Sequence, residues 1–384
     1  MKGETVLNIN LKRKKILIFH PSIAPYRIRF FNELYKRLET IICLYYQNLK
    51  SQTFDYEEIK NKFEFVPDYF KRSIKIGKRT IYLGHRKRIL DYNPDIVIVG
   101  EFGEDLWSAI LTRFFYRRKY KIITICDDSL EIAKTYKGIR KILRNIAVKY
   151  LDGIILCNEK AEAWYHTNFQ LKTTTFPIIQ EEREFREREA EIRKCALNNI
   201  KEHNLVGKRV FLFVGRFAPE KNIRYLIQSF LCSHKTYPDN VLLLIGGVSE
   251  KDSNIFNRIQ KQISEAGAED FVIYLGRKEG MELKAWYFVG QVLVLPSLYE
   301  RFGAVVNEAL LAGEYAMVSE KAGASCLIND QNGEIIDISK PYIDFSQMTS
   351  KIKPIDEHWK PGKSKMPFEF DDKMKALVKW LQDI

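Results

Sequence analysis

No stretch of this sequence approaches the roughly 18 consecutive apolar residues of a bilayer-spanning helix. The opening segment, MKGETVLNINLKRKKILIFHPS, has only a short apolar run after its basic cluster. That run reads as a first buried strand rather than a secretion signal. The six cysteines (Cys43, Cys126, Cys157, Cys195, Cys232, Cys326) are widely spaced and form no CxxC pair. This argues against a zinc site and fits buried thiols in a reducing cytoplasm. No segment repeats at a period of about 20 to 50 residues, which argues against a repeat architecture. No acidic pair stands at a strand end with the spacing that would hold Mn²⁺ or Mg²⁺, so neither a metal nor a cofactor is expected. Acidic residues are scarce in one half. Residues 1–178 hold 33 Lys and Arg against 19 Asp and Glu, a net of +14, and the remainder carries −1.

The chain has 384 residues, enough for two domains with ordinary cores. Hydrophobic residues make up 46% and aromatics 13%, the composition of a folded protein rather than a disordered one. Strand-like runs at 15–19, 41–45, 95–99, 121–126 and 153–157 alternate with helical patterns at 27–38, 106–116 and 137–150. Such alternation indicates an α/β fold with a parallel sheet and right-handed crossovers. The stretch 51–78 has no clear pattern. A charged run (EEREFREREAEIRK) then precedes a second series of strands at 210–214, 241–245, 272–275 and 292–295. The expected organisation is a first domain over 1–178, a linker over 179–208, a second domain over 209–365 and a closing helical segment over 366–384. The tail before that helix carries Pro354, Pro361 and Pro367 and should be extended. Met374, Leu377, Val378 and Leu381 then recur at helical spacing.

The most informative stretch is VLVLPSLYERFGAVVNEALLAG. A buried strand ends at Pro296, Phe302-Gly303 turns the chain, and a helix starts near Ala304. Glu300 falls in the loop and Glu308 about a turn and a half into the helix. A helix start carries free N–H groups and partial positive charge, and so attracts a phosphate. A carboxylate on each side can accept hydrogen bonds from vicinal hydroxyls. The ligand so described has an anionic centre and a diol at each end, the shape of a nucleotide diphosphate sugar. Glu181 and Glu189 have the same separation but lie in the charged run, which reads as a solvated face. A second element, RVFLFVGRFAPEKNIRYLIQSF, places Gly215, Arg216 and Lys221 between a strand and a helix. Ligands bind at that end of open parallel sheets. An arginine fork and a lysine point charge suit a diphosphate there.

VGRFAPEKN and LYERFGAVVNEAL resemble the signatures of retaining glycosyltransferases of the GT-B fold, glycosyltransferase family four (group 1). IAPYRIRFFNEL and GASCLINDQNGEII are similar to the same family, especially to enzymes that build capsular, exopolysaccharide or lipopolysaccharide glycans. The resemblance spans most of the chain and is strongest in the C-terminal half. It implies two Rossmann-like doubly wound domains facing a central cleft, with the C-terminal helix crossing back to the first domain. It implies that Arg216 and Lys221 neutralise the donor diphosphate, that Glu300 meets the sugar hydroxyls and that Glu308 holds the ribose. The backbone from Phe302 through Gly303 to Ala304 would contact phosphate or sugar. The chain departs from the family at Asn222, where glycine often follows the lysine, and after the first strand, where HPSIAPYR replaces a glycine-rich loop.

Acceptor candidates come from loops after the first-domain strands: His20, Arg27, Glu101, Asp127 and Asp128. Each has a structural alternative. His20 can be a turn residue, Tyr26 and Arg27 can pack, Glu101 and Glu104 can sit at a helix N-terminus, and the aspartates can cap a helix with Ser129. The basic first half implies an anionic partner. For this family that partner is the inner membrane surface, where lipid-linked acceptors reside, rather than nucleic acid. The expected protein is thus a cytoplasmic, peripheral enzyme. An epimerase or phosphorylase on the same fold, or a non-enzymatic binder of anionic polymers, is the alternative.

Overall fold

Two parallel sheets organise residues 13–47, 56–77, 79–249 and 252–384, which this computed structural model describes. Residues 1–12 of the basic opening segment, and part of the unassigned stretch 51–78, lie outside the described residues. The first sheet has the spatial order β3 (Asp68–Tyr69), β2 (Glu39–Leu44), β1 (Lys15–His20), β6 (Ile96–Gly100), β7 (Lys121–Cys126), β8 (Gly153–Leu156) and β9 (Thr173–Thr175). A separate antiparallel hairpin joins β4 (Ser73–Ile76) to β5 (Arg79–Tyr82). The second sheet runs β12 (Val272–Gly276), β11 (Asn240–Ile245), β10 (Arg209–Val214), β13 (Val292–Leu295), β14 (Tyr315–Ser319) and β15 (Gly333–Ile336).

The apolar runs form strands because helices cover both faces of each sheet. In the first sheet, Ile16, Ile18, Ile96, Ile98 and Ile123 point to one side. They meet Phe30 and Leu34 of the helix Ile28–Arg37. Their neighbours Leu17, Phe19, Val97, Val99 and Ile122 point to the other side, against Leu106 and Ala109 of the helix Glu104–Phe115. The two-residue period of the side chains builds both cores at once.

Strand order reverses beside β1 in the first sheet and beside β10 in the second. Loops leave in opposite directions there and open a crevice at the carboxyl ends of the strands. In the second sheet that crevice lies between Gly215–Arg216 after β10 and 296–303 after β13.

The charged run is less solvated than its composition predicts. It contains the helices Glu182–Phe185 and Glu189–Glu202. Ile192, Ala196 and Ile200 recur every fourth residue on the second of these and are buried. Glu181 and Glu189 are structural here: Glu181 accepts from the Arg183 amide, and Glu189 pairs with Arg186 at 2.8 Å.

The C-terminal helix Phe370–Asp383 packs on the first sheet. Phe370 meets Phe176 edge-on at 5.5 Å, and Arg37 reaches Asp371 at 3.2 Å. Trp380 and Ile384 lie so close over Gly153 that a Cβ there would stand 2.6 Å from Ile384 Cδ1. No helix among the described residues is long and apolar enough to cross a membrane. Cys43, Cys126 and Cys157 are buried and Cys232 is exposed; all six thiols are free.

Candidate active site

Local geometry brings Lys221 to Glu300. Gly215 ends β10, and its amide donates to the Ile245 carbonyl at 3.0 Å. A Cβ on Gly246 would lie 1.7 Å from the Gly215 carbonyl oxygen, so the two loops touch backbone to backbone. Lys221 ends a short 3-10 turn, Pro219–Lys221, and Asn222 takes φ 56°, a conformation that asparagine tolerates. That left-handed residue starts the helix Ile223–His234, filling the place where glycine was expected. The lysine stem passes 3.7 Å from the position of a Gly215 Cβ, and its ammonium pairs with Glu300. The Leu298 amide donates to the Glu220 carbonyl at 2.8 Å, tying the two loops together.

The turn after Glu300 needs its glycine. Gly303 has φ 97°, and a Cβ would fall 2.8 Å from Leu295 Cδ2. It is the N-cap of the helix Ala304–Ala312, which has no side-chain cap. Among the described residues, no side chain therefore accepts from the first amides of that helix at its cap. Phe302 is buried beneath, and its carbonyl accepts from the Ala324 amide at 2.7 Å. Glu308 points back into the same region. Its carboxylate accepts from the Tyr287 hydroxyl at 2.7 Å and the Gln180 amide at 3.1 Å. Burial pushes its pKa up, against the pull of those two bonds and of Lys284. Arg216 is the outlier of the set: its side chain is 64% exposed and pairs with Glu220 at 3.1 Å. It stands at the rim.

The first domain closes the other wall. Tyr26 lies near both glutamates. Burial raises its pKa, Arg27 opposes this, and Asp127, Glu308 and Glu300 raise it further. Arg27 is buried and pairs with Asp127. His20 donates through Nδ1 to the Ser22 carbonyl at 2.8 Å and packs against Phe31. Burial lowers its pKa to about 4, with Asp127 opposing and Arg27 assisting. Burial thus favours the neutral imidazole.

The aspartates do not cap. Ser129 is the N-cap of the next helix and accepts from the Ile132 amide. Asp128 is buried against Tyr136 at 2.9 Å and Arg144 at 3.5 Å. Glu101 does not sit in a helix start either, since Gly103 precedes the helix Glu104–Phe115. Glu101 adopts φ 55° and faces the second domain.

Sequence reasoning missed Arg301. It lies inside the turn motif yet reaches across the cleft, pairing with Glu101 and standing 3.8 Å from Asp128 Oδ1. Among the described residues, that oxygen has no hydrogen-bond partner of its own. A charge next to Glu300 gave no signal of a contact 200 residues back in the chain. The Gly246-Gly247 pair at a strand end was a readable signal for the close loop approach. A cavity of about 210 Å³ also bridges the two walls, with Ser129, Asn158 and Lys160 on one side and Glu320, Lys321 and Ser325 on the other.

Residues 197–342, which include Lys221, Glu300 and Glu308, match the family model described as glycosyl transferases group 1. An uncharacterized 41.2 kDa protein from the cps region of Klebsiella pneumoniae is 24% identical over 286 residues, 71% of each chain. O-antigen chain mannosyltransferase B of Escherichia coli is 27% identical over 140 residues, 35% of this chain and 36% of that one. An uncharacterized glycosyltransferase of Methanocaldococcus jannaschii is 32% identical over 124 residues, 32% of this chain and 30% of its own length. Among solved structures, Anabaena HepE in complex with UDP superposes with a TM-score of 0.72 at 13% identity, covering 97% of this chain and 100% of that one. Sucrose-phosphate synthase from Thermosynechococcus elongatus gives 0.62 at 15% identity, covering 96% of both chains. The fold is GT-B: two Rossmann-like domains facing each other across a cleft.

Proposed function

We propose that this chain is a glycosyltransferase that moves a sugar from a nucleotide diphosphate sugar to a lipid-linked glycan acceptor, with retention of configuration, in surface polysaccharide assembly. The observation that carries the reading is the Lys221–Glu300 pair beside the uncapped start of the helix Ala304–Ala312, with Glu308 deeper in the same crevice. The group 1 match over this domain and the solved HepE structures with UDP and UDP-glucose support the donor class. The cps-region and O-antigen relatives support the acceptor class.

The chemical difficulty is the departure of a diphosphate from an oxocarbenium-like carbon. Donors fixed before the reaction stabilise the charge that develops on the leaving group. Lys221, the amides after Gly303 and an inward-turned Arg216 supply that positive field. Glu300 orients the Lys221 ammonium and accepts sugar hydroxyls, and Glu308 accepts the ribose hydroxyls. The proposal assigns the leaving-group charge to these groups and to no metal, so turnover in EDTA should equal turnover without it.

The test is calorimetry with uridine and guanosine diphosphates, followed by donor turnover of Lys221→Ala. One of the diphosphates should bind, and the variant should lose roughly a hundredfold in turnover, the loss typical of one transition-state donor. Near wild-type turnover, or no diphosphate binding at all, would sink the proposal.

A further inference from the structure

The helix Gly138–Val148 turns its apolar face outward. Ile139, Ile142, Leu143 and Ile146 recur at the i, i+3, i+4, i+7 spacing that normally meets a core. Here they are 72, 59, 43 and 41% exposed. The side turned inward holds Ala147, Val148 and the guanidinium of Arg144. Arg144 is fixed there, over the rings of Phe102 at 4.5 Å and Tyr136 at 4.3 Å, and near Asp128. The outward orientation is thus locked by the buried arginine.

The adjacent helix Glu104–Phe115 ends in the same way. Leu111, Phe114, Phe115 and Tyr116 are exposed. Arg113 joins the ends of the two helices by donating to the Tyr150 carbonyl and to Asp152. An open groove of about 650 Å³, rimmed by Arg86 and lined by Leu111, Phe115 and Tyr116, continues this surface. Exposed cations surround it: Lys137, Arg140, Lys141 and Lys149 around the first helix, and Arg117 to Lys119 after the second. Residues 137–149 contain no acidic residue.

We propose that this face docks the protein on an anionic lipid bilayer. An apolar stripe edged by cations is how a helix lies in a membrane interface. The net charge of +14 over residues 1–178 matches an anionic surface, and the acid-free run 137–149 favours such a surface over a second copy of this chain. The helix has 11 residues and runs about 16 Å. It starts at the cleft, where the Tyr136 hydroxyl donates to Asp128, and runs along the flank of the first domain. Docking on this flank sets the cleft mouth beside the headgroups. The inference deepens the glycosyltransferase reading by naming where a lipid-linked acceptor is met.

The full chain is sedimented with vesicles of phosphatidylcholine alone and of phosphatidylcholine mixed with phosphatidylglycerol. It should pellet with the mixed vesicles only, and release as salt rises. Ile142→Ser with Ile146→Ser, and Arg140→Glu with Lys141→Glu, should each lower partitioning by about tenfold or more, since one interfacial cation contributes about fivefold. Both pairs are exposed, and unchanged melting curves would confirm intact folding. Wild-type protein that stays in the supernatant with anionic vesicles overturns the proposal, as do variants that pellet like wild type. So does light scattering that shows a wild-type dimer made monomeric by the isoleucine changes. Donor hydrolysis in solution, without vesicles, reports on the catalytic reading separately and should be unchanged in all variants.

Discussion

Lys221 and Glu300 are 79 residues apart in sequence, yet their side chains are in contact because two loops leave neighbouring parallel strands at the same end. The pair is only 12% and 19% exposed, so neither charge is well hydrated and each depends on the other. His20 is desolvated too, and nearby Asp127 offsets this only in part. Its pKa of about 4 in the folded protein lies below the unfolded value of about 6.5. The folded state therefore binds fewer protons between those values. The stability that neutral His20 contributes is fully present above pH 6.5 and is lost as the pH falls towards 4. The loss should reach up to about 3 kcal/mol. Chemical denaturation of wild type and His20→Gln across pH 4 to 7 should show a steeper decline in the wild type. Parallel curves would contradict it.

At the scale of elements, polar contacts cross the cleft. Arg301 on the second domain meets Glu101 and Asp128 on the first, and the Lys160 ammonium reaches the Glu320 carbonyl at 3.5 Å. Arg301 is half exposed, so its pairs contribute under about 1 kcal/mol to stability. A free energy of that size still shifts a two-state domain equilibrium by about fivefold. Arg301→Ala should open the unliganded cleft, seen as a larger radius of gyration in small-angle scattering, with a melting temperature close to wild type. An unchanged scattering profile would rule out a latch. The turn motif was legible in the sequence because strand, glycine and helix are local patterns. The latch was not, since a contact across the cleft depends on how two separately folded sheets face each other.

The whole molecule is joined by its C-terminal helix and by the helices of the charged run. Leu377 and Met374 are fully buried within a core that also contains first-sheet isoleucines. Leu377→Ala should cost about 2 to 5 kcal/mol, the range for a buried leucine whose cavity does not collapse. Denaturant unfolding should report that loss, and a cost below 1 kcal/mol would mean that the helix is not part of the cooperative unit.

The sequence alone determined the two series of buried strands, the strand–glycine–helix turns and the charge excess of the first half. Each of these depends on residues close together in the chain, where propensity and period act directly. The short strands β9 and β15 escaped notice because Thr173–Thr175 and Gly333–Ile336 are too brief, or too mixed, to show a period. Only the tertiary structure decided which residues share the crevice, that Asp128 is buried while Asp127 pairs with Arg27, and that the apolar face of Gly138–Val148 looks outward. Sequence period tells which residues share a face of a helix, whereas the packing of neighbouring elements decides where that face points.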